Sequence, residues 1–225
     1  MRIITGSARG TKLATLDGEA TRPTTDRVKE ALFSMIQFDI EGRTVLDLFG
    51  GCGQLALEAL SRGAERATII DQSRDATNII IENAKKTHLF EKCRVSTADY
   101  TSFIRGAAKR EKYDIIFLDP PYNSGLLPAS LKALQEAELF APGAYIICET
   151  DCDLPVKATR LRKDEDIAAE YVLKDVFGGS ETMRDKYEVL RSTLYGRTRI
   201  TLLTPAKAKA DADAIDGAVA DGDAE

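Results

Sequence analysis

Residues 113–122 read Y-D-I-I-F-L-D-P-P-Y and end in a carboxylate, two prolines and an aromatic ring. A short apolar run rich in β-branched and aromatic side chains is the signature of a strand buried on both faces. Pro120 and Pro121 have no backbone N–H to give a ladder, so the strand stops at Asp119. Ligands of open α/β sheets bind at the carboxyl ends of strands. Asp119 and the carbonyls of the proline pair supply acceptors there, and Tyr122 supplies a flat face. Such a group suits a planar ligand bearing an NH2, for instance a nucleobase. A plain strand-ending turn would use the same Asp-Pro pair, so the motif needs company.

That company is the stretch V-L-D-L-F-G-G-C-G at 45–53. Asp47 sits near a strand's end, and Gly50, Gly51 and Gly53 make a loop that a ligand can approach closely. Asp71 ends the next apolar run, where a carboxylate can accept from both ribose hydroxyls of an adenosine. Asp99 follows the third run, within reach of the adenine. Three acids ending successive strands around a glycine loop describe a nucleoside site; solvated strand-end acids are the plainer alternative. Gly51-x-Gly53-x-x-Ala56, with Asp71 twenty residues on, also fits a dinucleotide fingerprint and hence hydride transfer. Asp47 points the other way. A carboxylate just before the loop repels a pyrophosphate but suits the ammonium group of S-adenosylmethionine, whose sulfonium also favours negative surroundings. With an amine-accepting D-P-P-Y three strands later, methyl transfer is the favoured chemistry.

Alternating elements must position these groups. Residues 1–13 read as a short hairpin turning at 7–10. A helix follows Thr24 or Thr25 as N-cap, with Val28, Ala31, Leu32, Met35 and Ile36 on one face. Strands are expected at 44–49, 67–70, 94–96, 113–118 and 144–148, and helices at 54–62, 73–86, 101–109 and 126–138. This rhythm gives a three-layer α/β, Rossmann-like domain with a mostly parallel sheet. Residues 187–194 and 198–203 flank Tyr195-Gly196 and close the sheet as an antiparallel hairpin. The mixed-charge segment 164–184, with its Gly178-Gly179 pair, reads as a strand plus loop or a small inserted lobe.

The chain has 225 residues, 44% of them hydrophobic, which suffices for one well-buried core. The expected divisions are an N-terminal extension over 1–40, a main domain over 41–205 and an acidic, disordered tail over 206–225. Lys207 and Lys209 against Asp211, Asp213, Asp216, Asp221, Asp223 and Glu225 give that tail −4 of the total charge of −5. The rest is near neutral, so any hold on nucleic acid must come from local basic clusters such as Arg2, Arg9 and Lys12. No apolar run is long enough to span a membrane and no signal-peptide core is present, so a soluble, cytoplasmic monomer is expected. Cys52, Cys93, Cys148 and Cys152 lack zinc spacing and read as free thiols, with no metal site.

The ordered motifs M-R-I-I-T-G-S-A-R-G-T-K-L, T-R-P-T-T-D-R-V-K-E-A-L-F, L-D-L-F-G-G-C-G, L-E-A-L-S-R-G-A, F-L-D-P-P-Y and Y-G-R-T-R-I-T-L resemble the bacterial 16S rRNA guanine-N2 methyltransferases of the RsmD type. The resemblance covers residues 1 to about 144 and resumes at 195–203. It implies a class I methyltransferase fold, S-adenosylmethionine as donor, and one guanine of 16S rRNA in the small ribosomal subunit or its assembly intermediate as target. Carried over by motif, Thr24, Thr25, Arg27, Asp47, Phe49, Gly50, Gly51, Gly53, Asp71, Gln72, Asp99 and Tyr100 would hold the cofactor. Asp119, Pro120, Pro121 and Tyr122 would hold the base, and Arg2, Arg9, Lys12 and Arg22 would face RNA. The family's glycine loop reads A-G-S-G, whereas Gly50-Gly51-Cys52-Gly53 stands here. Asp119 is expected as a carboxylate of ordinary pKa, about 4, that positions the amine rather than deprotonating it. A methyltransferase acting on adenine N6 or protein glutamine, and a non-catalytic assembly factor, remain alternatives.

Overall fold

Strand-ending acids, prolines and glycines punctuate the chain into alternating strands and helices, and the computed structural model describes residues 1–16, 26–122, 124–151 and 165–206. The strands are β1 (Thr44–Asp47), β2 (Arg66–Asp71), β3 (Cys93–Thr97), β4 (Tyr113–Leu118), β5 (Phe140–Asp151), β6 (Tyr187–Tyr195) and β7 (Thr198–Pro205). The helices are α1 (Asp26–Met35), α2 (Gln54–Ser61), α3 (Arg74–Lys86), α4 (Tyr100–Ala107), α5 (Leu126–Glu136), α6 (Glu165–Phe177) and α7 (Glu181–Arg184). One seven-stranded sheet runs β3-β2-β1-β4-β5-β7-β6. Its first five strands are parallel, and β7 is antiparallel to both β5 and β6.

Alternation along the strands sends side chains to two cores. Val45, Phe117 and Ile147 pack with Leu32 and Phe33 of α1, Leu57 and Leu60 of α2 and Ile80 of α3. Leu46, Leu118 and Cys148 pack with Ile104 of α4, Leu131 of α5 and Val176 of α6. Helices therefore cover both faces, giving the three layers expected. In the register, Asp47 lies across from Phe117 and Phe117 across from Ile147. Because side chains alternate with period two, Asp47, Asp119 and Glu149 belong to the same face. At the opposite ends of these strands, Asp114 accepts from the Thr44 N–H at 2.9 Å and the Thr44 hydroxyl at 2.7 Å, and pairs with Arg43 at 3.1 Å.

The N-terminal residues form a small hairpin with a single bridge, Arg2 to Lys12. Ile3, Ala8 and Leu13 are buried, and the hairpin is bound to α2: Glu58 accepts from the N–H groups of Ile4 and Thr5 at 2.7 and 3.0 Å, and the Ser61 hydroxyl from that of Ala8 at 3.0 Å.

Segment 164–184 departs from expectation: its described part is neither a strand nor an inserted lobe but α6 and α7. Val172, Val176 and Phe177, at helical spacing, bury against the α5 side of the sheet, and Gly178 and Gly179 at φ +61° and +79° end the helix. Mixed charge on the outer face masks this stripe in the sequence. β5 is also longer than expected, starting at Phe140 and running past Cys148 to Asp151. Among the described residues no helix is long and apolar enough to cross a membrane, and Cys52, Cys93 and Cys148 are free thiols. Cys152 and residues 207–225 lie outside the described residues.

Candidate active site

The loop from β1 to α2 is shaped by backbone rather than side chains. Gly50 donates to the Ile70 carbonyl at 2.8 Å, which seats the loop against β2. A Cβ on Gly50 would lie 2.6 Å from Ile69 Cγ2 and 2.9 Å from Ile80 Cδ1, so these isoleucines fill the space that an alanine there would need. Gly51 and Gly53 have φ of +55° and +79°, a region that L side chains rarely adopt, and α2 starts directly after them. Asp71 fixes both flanks: one carboxylate oxygen accepts from the Gly51 N–H at 2.9 Å, the other from the Ser73 N–H at 2.8 Å.

Asp47 stands under this loop and is 1% exposed. Burial pushes its carboxyl up to about 7, against the opposing hydrogen bonds from the N–H groups of Phe49 and Ala56, and Asp71 adds to the rise. Its Oδ1 has no hydrogen-bond partner and is closed to solvent. A buried acceptor in this condition costs free energy unless a donor arrives. The residues therefore fit the ammonium group of S-adenosylmethionine: an orphaned acid oxygen, a glycine loop whose Gly51 is partly open, and a carboxylate at the end of β2.

Beyond β2, the exposed Asp99 serves as N-cap of α4, accepting from the N–H groups of Thr101 and Ser102 at 3.0 and 3.1 Å. Its pKa is held well below the usual carboxylate range, chiefly by hydrogen bonds with Ser102 and Thr101. Tyr100 and Phe49 face each other at 5.8 Å between ring centroids, an aromatic wall linking α4 to the loop after β1. Gln72 is exposed beside Asp71, and Arg27 is exposed in the first turn of α1. Arg22, Thr24 and Thr25 lie outside the described residues.

At the end of β4, Asp119 is half-buried, Pro120 buried and Pro121 exposed. Burial raises the Asp119 pKa well above the ordinary carboxylate value, and the nearby charges of Glu149 and then Asp47 raise it further. This corrects the expectation of an ordinary acid: the sequence does not reveal how many carboxylates converge here. Tyr122 is half-buried, and its hydroxyl donates to Glu149 Oε1 at 3.0 Å. The Pro121 carbonyl accepts from the Ser124 hydroxyl at 2.6 Å, which shapes the turn into α5.

Glu149 is the residue that sequence reading passes over. It is 3% exposed and ends an apolar run, Y-I-I-C-E, with the same signature as Asp119, but it falls one residue beyond the strand end expected at Cys148. Of the basic candidates, Arg2 pairs with Asp26 at 2.8 Å while remaining exposed, and Arg9 and Lys12 are exposed on the hairpin. A separate cleft of about 600 Å³, lined by Arg66, Arg94, Arg110 and Lys112 among others, lies at the amino-terminal ends of β2 to β4, away from these groups.

The family model described as conserved hypothetical protein 95 matches residues 1–183. The chain is 39% identical over 160 residues to a Bacillus subtilis protein named putative rRNA methyltransferase YlbH, covering 71% of this chain and 87% of that one. It is 39% identical over 153 residues to ribosomal RNA small subunit methyltransferase D of Escherichia coli, covering 68% of this chain and 76% of the relative. Its structure resembles the solved structure of the putative methyltransferase yhhF from Escherichia coli with a TM-score of 0.72 and 30% identity, covering 92% of this chain and 99% of the other. The architecture is the class I methyltransferase fold.

Proposed function

We propose a function from one premise: the chain belongs to the RsmD-type rRNA methyltransferase family. It methylates the exocyclic N2 amine of a guanine in the 16S rRNA of the small ribosomal subunit, using S-adenosylmethionine. The observation that carries this reading is the convergence of Asp47, Asp119 and Glu149 at the carboxyl ends of three adjacent strands, beside a glycine loop and Tyr122. Such a site attracts a cation and N–H donors and repels phosphates, which favours methyl transfer over hydride transfer from a dinucleotide.

Asp47, the glycine loop and Asp71 would hold S-adenosylmethionine, with Phe49 and Tyr100 beside its base. When bound, that cofactor supplies an electrophilic methyl group on a positively charged sulfur. The chain's own residues prepare the nucleophile. An aromatic amine is a poor nucleophile because its lone pair is delocalised into the ring. Asp119 and the Pro120 carbonyl accept its two N–H bonds and so draw the nitrogen toward sp3 geometry, taking the lone pair out of conjugation with the ring and aiming it at the methyl group. Tyr122, tethered through its hydroxyl to Glu149, presents its ring for stacking. With its pKa raised by burial and by Glu149, Asp119 can also take up the proton that the methylated amine must lose. A base-paired guanine hides this amine, so the target is unpaired or flipped out.

Radiolabelled methyl transfer to small subunits lacking their own modifications, to naked rRNA, to DNA and to protein, followed by nucleoside analysis, tests the assignment. N2-methylguanosine in 16S rRNA is the expected product. N6-methyladenosine or methylglutamine would transfer the site to another amine, and no product at all would leave a non-catalytic assembly factor.

A further inference from the structure

The loop between β1 and α2 owes its backbone shape to glycines, but a side chain of α3 decides how its middle peptide faces. Asn83 is fully buried, on a helix face otherwise made of Ala76, Thr77, Ile80 and Ala84. Ile80, one turn earlier, closes the space over Gly50 and Gly53. Asn83 Nδ2 donates to the Cys52 carbonyl at 2.9 Å and to the Ala14 carbonyl at 3.0 Å, and its Oδ1 accepts from the Ala14 N–H at 2.8 Å. Turning the amide over would set its oxygen against two carbonyls and its NH2 against an N–H, so the orientation is fixed. An apolar side chain would suit both the helix and the core better; a buried amide is tolerated there because these three bonds are made.

Cys52 stands between Gly51 and Gly53, both at left-handed φ, so local sterics alone do not hold its peptide in one orientation. The Cys52 carbonyl and the Gly53 N–H share one planar trans peptide and point opposite ways. Asn83 holds the carbonyl end, and the Gly50 carbonyl holds the other by accepting from the Gly53 N–H at 2.6 Å. Without Asn83 the buried carbonyl would lose its partner, and the plane would turn to find another. We propose that Asn83 is a positioning residue for the cofactor. Its one carboxamide fixes the Cys52–Gly53 peptide of the glycine loop and clamps Ala14, where the chain leaves the N-terminal hairpin, so the seat of the hairpin and the shape of the loop are set together. The inference rests on the reading above that this loop holds S-adenosylmethionine.

The test reads the loop without requiring turnover. Asn83→Asp keeps the shape and the acceptor for the Ala14 N–H but faces two carbonyls with an oxygen, and Asn83→Ala removes all three bonds. Each should weaken S-adenosylhomocysteine binding in calorimetry by about tenfold, and speed iodoacetamide alkylation of Cys52, located by mass spectrometry, by about as much. Leu131→Ala, in the core on the other face of the sheet, is a control of lowered stability that should leave both readings at the wild-type value. In kinetics the Asn83 variants should raise KM for S-adenosylmethionine far more than they lower kcat. Asn83 variants that shift these readings no more than Leu131→Ala overturn the inference and leave Asn83 a packing residue. Should neither variant fold, the wild type decides: S-adenosylhomocysteine should slow both Cys52 alkylation and hydrogen exchange at the Ala14 N–H, and an Ala14 N–H indifferent to the ligand overturns the link. A wild type that binds no S-adenosylhomocysteine fails the cofactor reading itself, and this inference with it.

Discussion

Two sets of buried charges lie on the same side of the sheet and are treated in opposite ways. Around Glu58 every charge has an answer: it accepts from the N–H groups of Ile4 and Thr5, from Arg62 at 2.9 Å, and pairs with Lys29 at 3.5 Å. Lys29 in turn donates to the Arg2 carbonyl, and Arg62 lies 4.7 Å over the Phe33 ring. Burial lowers the Lys29 pKa and Glu58 raises it again. Around Asp119 the neighbouring acids Glu149 and Asp47 push its pKa up, and one oxygen of Asp47 is left orphaned. The first set closes on itself and fastens the N-terminal hairpin to α2. The second is open at Asp47, whose orphaned oxygen is the mark of the ligand we propose. Pairing separates a charge network that holds the fold from one that awaits a ligand.

The largest effect should come from breaking the closed set. Glu58→Ala leaves Lys29 and two hairpin N–H groups without their acceptor and should cost about 3–5 kcal/mol in denaturant unfolding. A loss below about 1 kcal/mol would mean that the network is not what fastens the hairpin. In the open set, damage should fall on activity. Asp119→Ala should lose about 10²- to 10³-fold in single-turnover methylation with no loss of folding stability, while Asp119→Asn, which keeps one acceptor, should retain measurably more. Equal collapse of both variants would make proton uptake by the acid obligatory.

Asp47 sharpens the contrast by pH. Its folded pKa of about 7 lies above its ordinary 3.8, so between those values the folded state binds more protons than the unfolded one. Stability of the free protein should therefore fall as pH rises from about 4 to 7, by roughly 2–4 kcal/mol. Asp47→Asn should flatten that slope and raise the melting temperature at neutral pH, while weakening S-adenosylmethionine binding in calorimetry by about tenfold. A variant with the wild-type slope would remove Asp47 as its source. The smallest effect concerns Arg2, Arg9 and Lys12, which we propose grip rRNA phosphates beside the open set. Neutralising all three should lower the slope of log affinity against log salt by about 2–3 without touching cofactor affinity. An unchanged slope would make them a solvated surface.

The open set is largely legible in sequence, and the closed set is not. Asp71 and Asp119 each terminate an apolar run and Asp47 interrupts one just before the glycine loop, a pattern that a sheet's ligand-binding edge imposes directly. Glu149 carries the same signature but hides one residue past the expected end of β5, because strand ends are set by pairing with β7 rather than by local residues. Glu58 and Lys29 sit inside amphipathic helices, where charged residues read as solvent-facing; only the return of the N-terminal hairpin buries them. α6 escapes for a related reason, since its apolar stripe is short and acquires meaning only against α5. Local chemistry writes the strand ends, and long-range packing writes the rest.

The strand order also arranges these events in time. β1, β2 and β3 follow one another in sequence and in the sheet, so their pairing closes only short crossovers, and the cradle of Asp47, Gly51 and Asp71 can assemble from them alone. The contact of β4 with β1 spans 70 residues, as the Asp114–Thr44 clamp marks, and β5 joins only after β4. As the chain leaves the ribosome, the half we propose to hold the cofactor can thus form before the carboxylates of β4 and β5 become neighbours. The electrostatic penalty of the active site is deferred to the last docking steps, when an already formed sheet stands ready to absorb it.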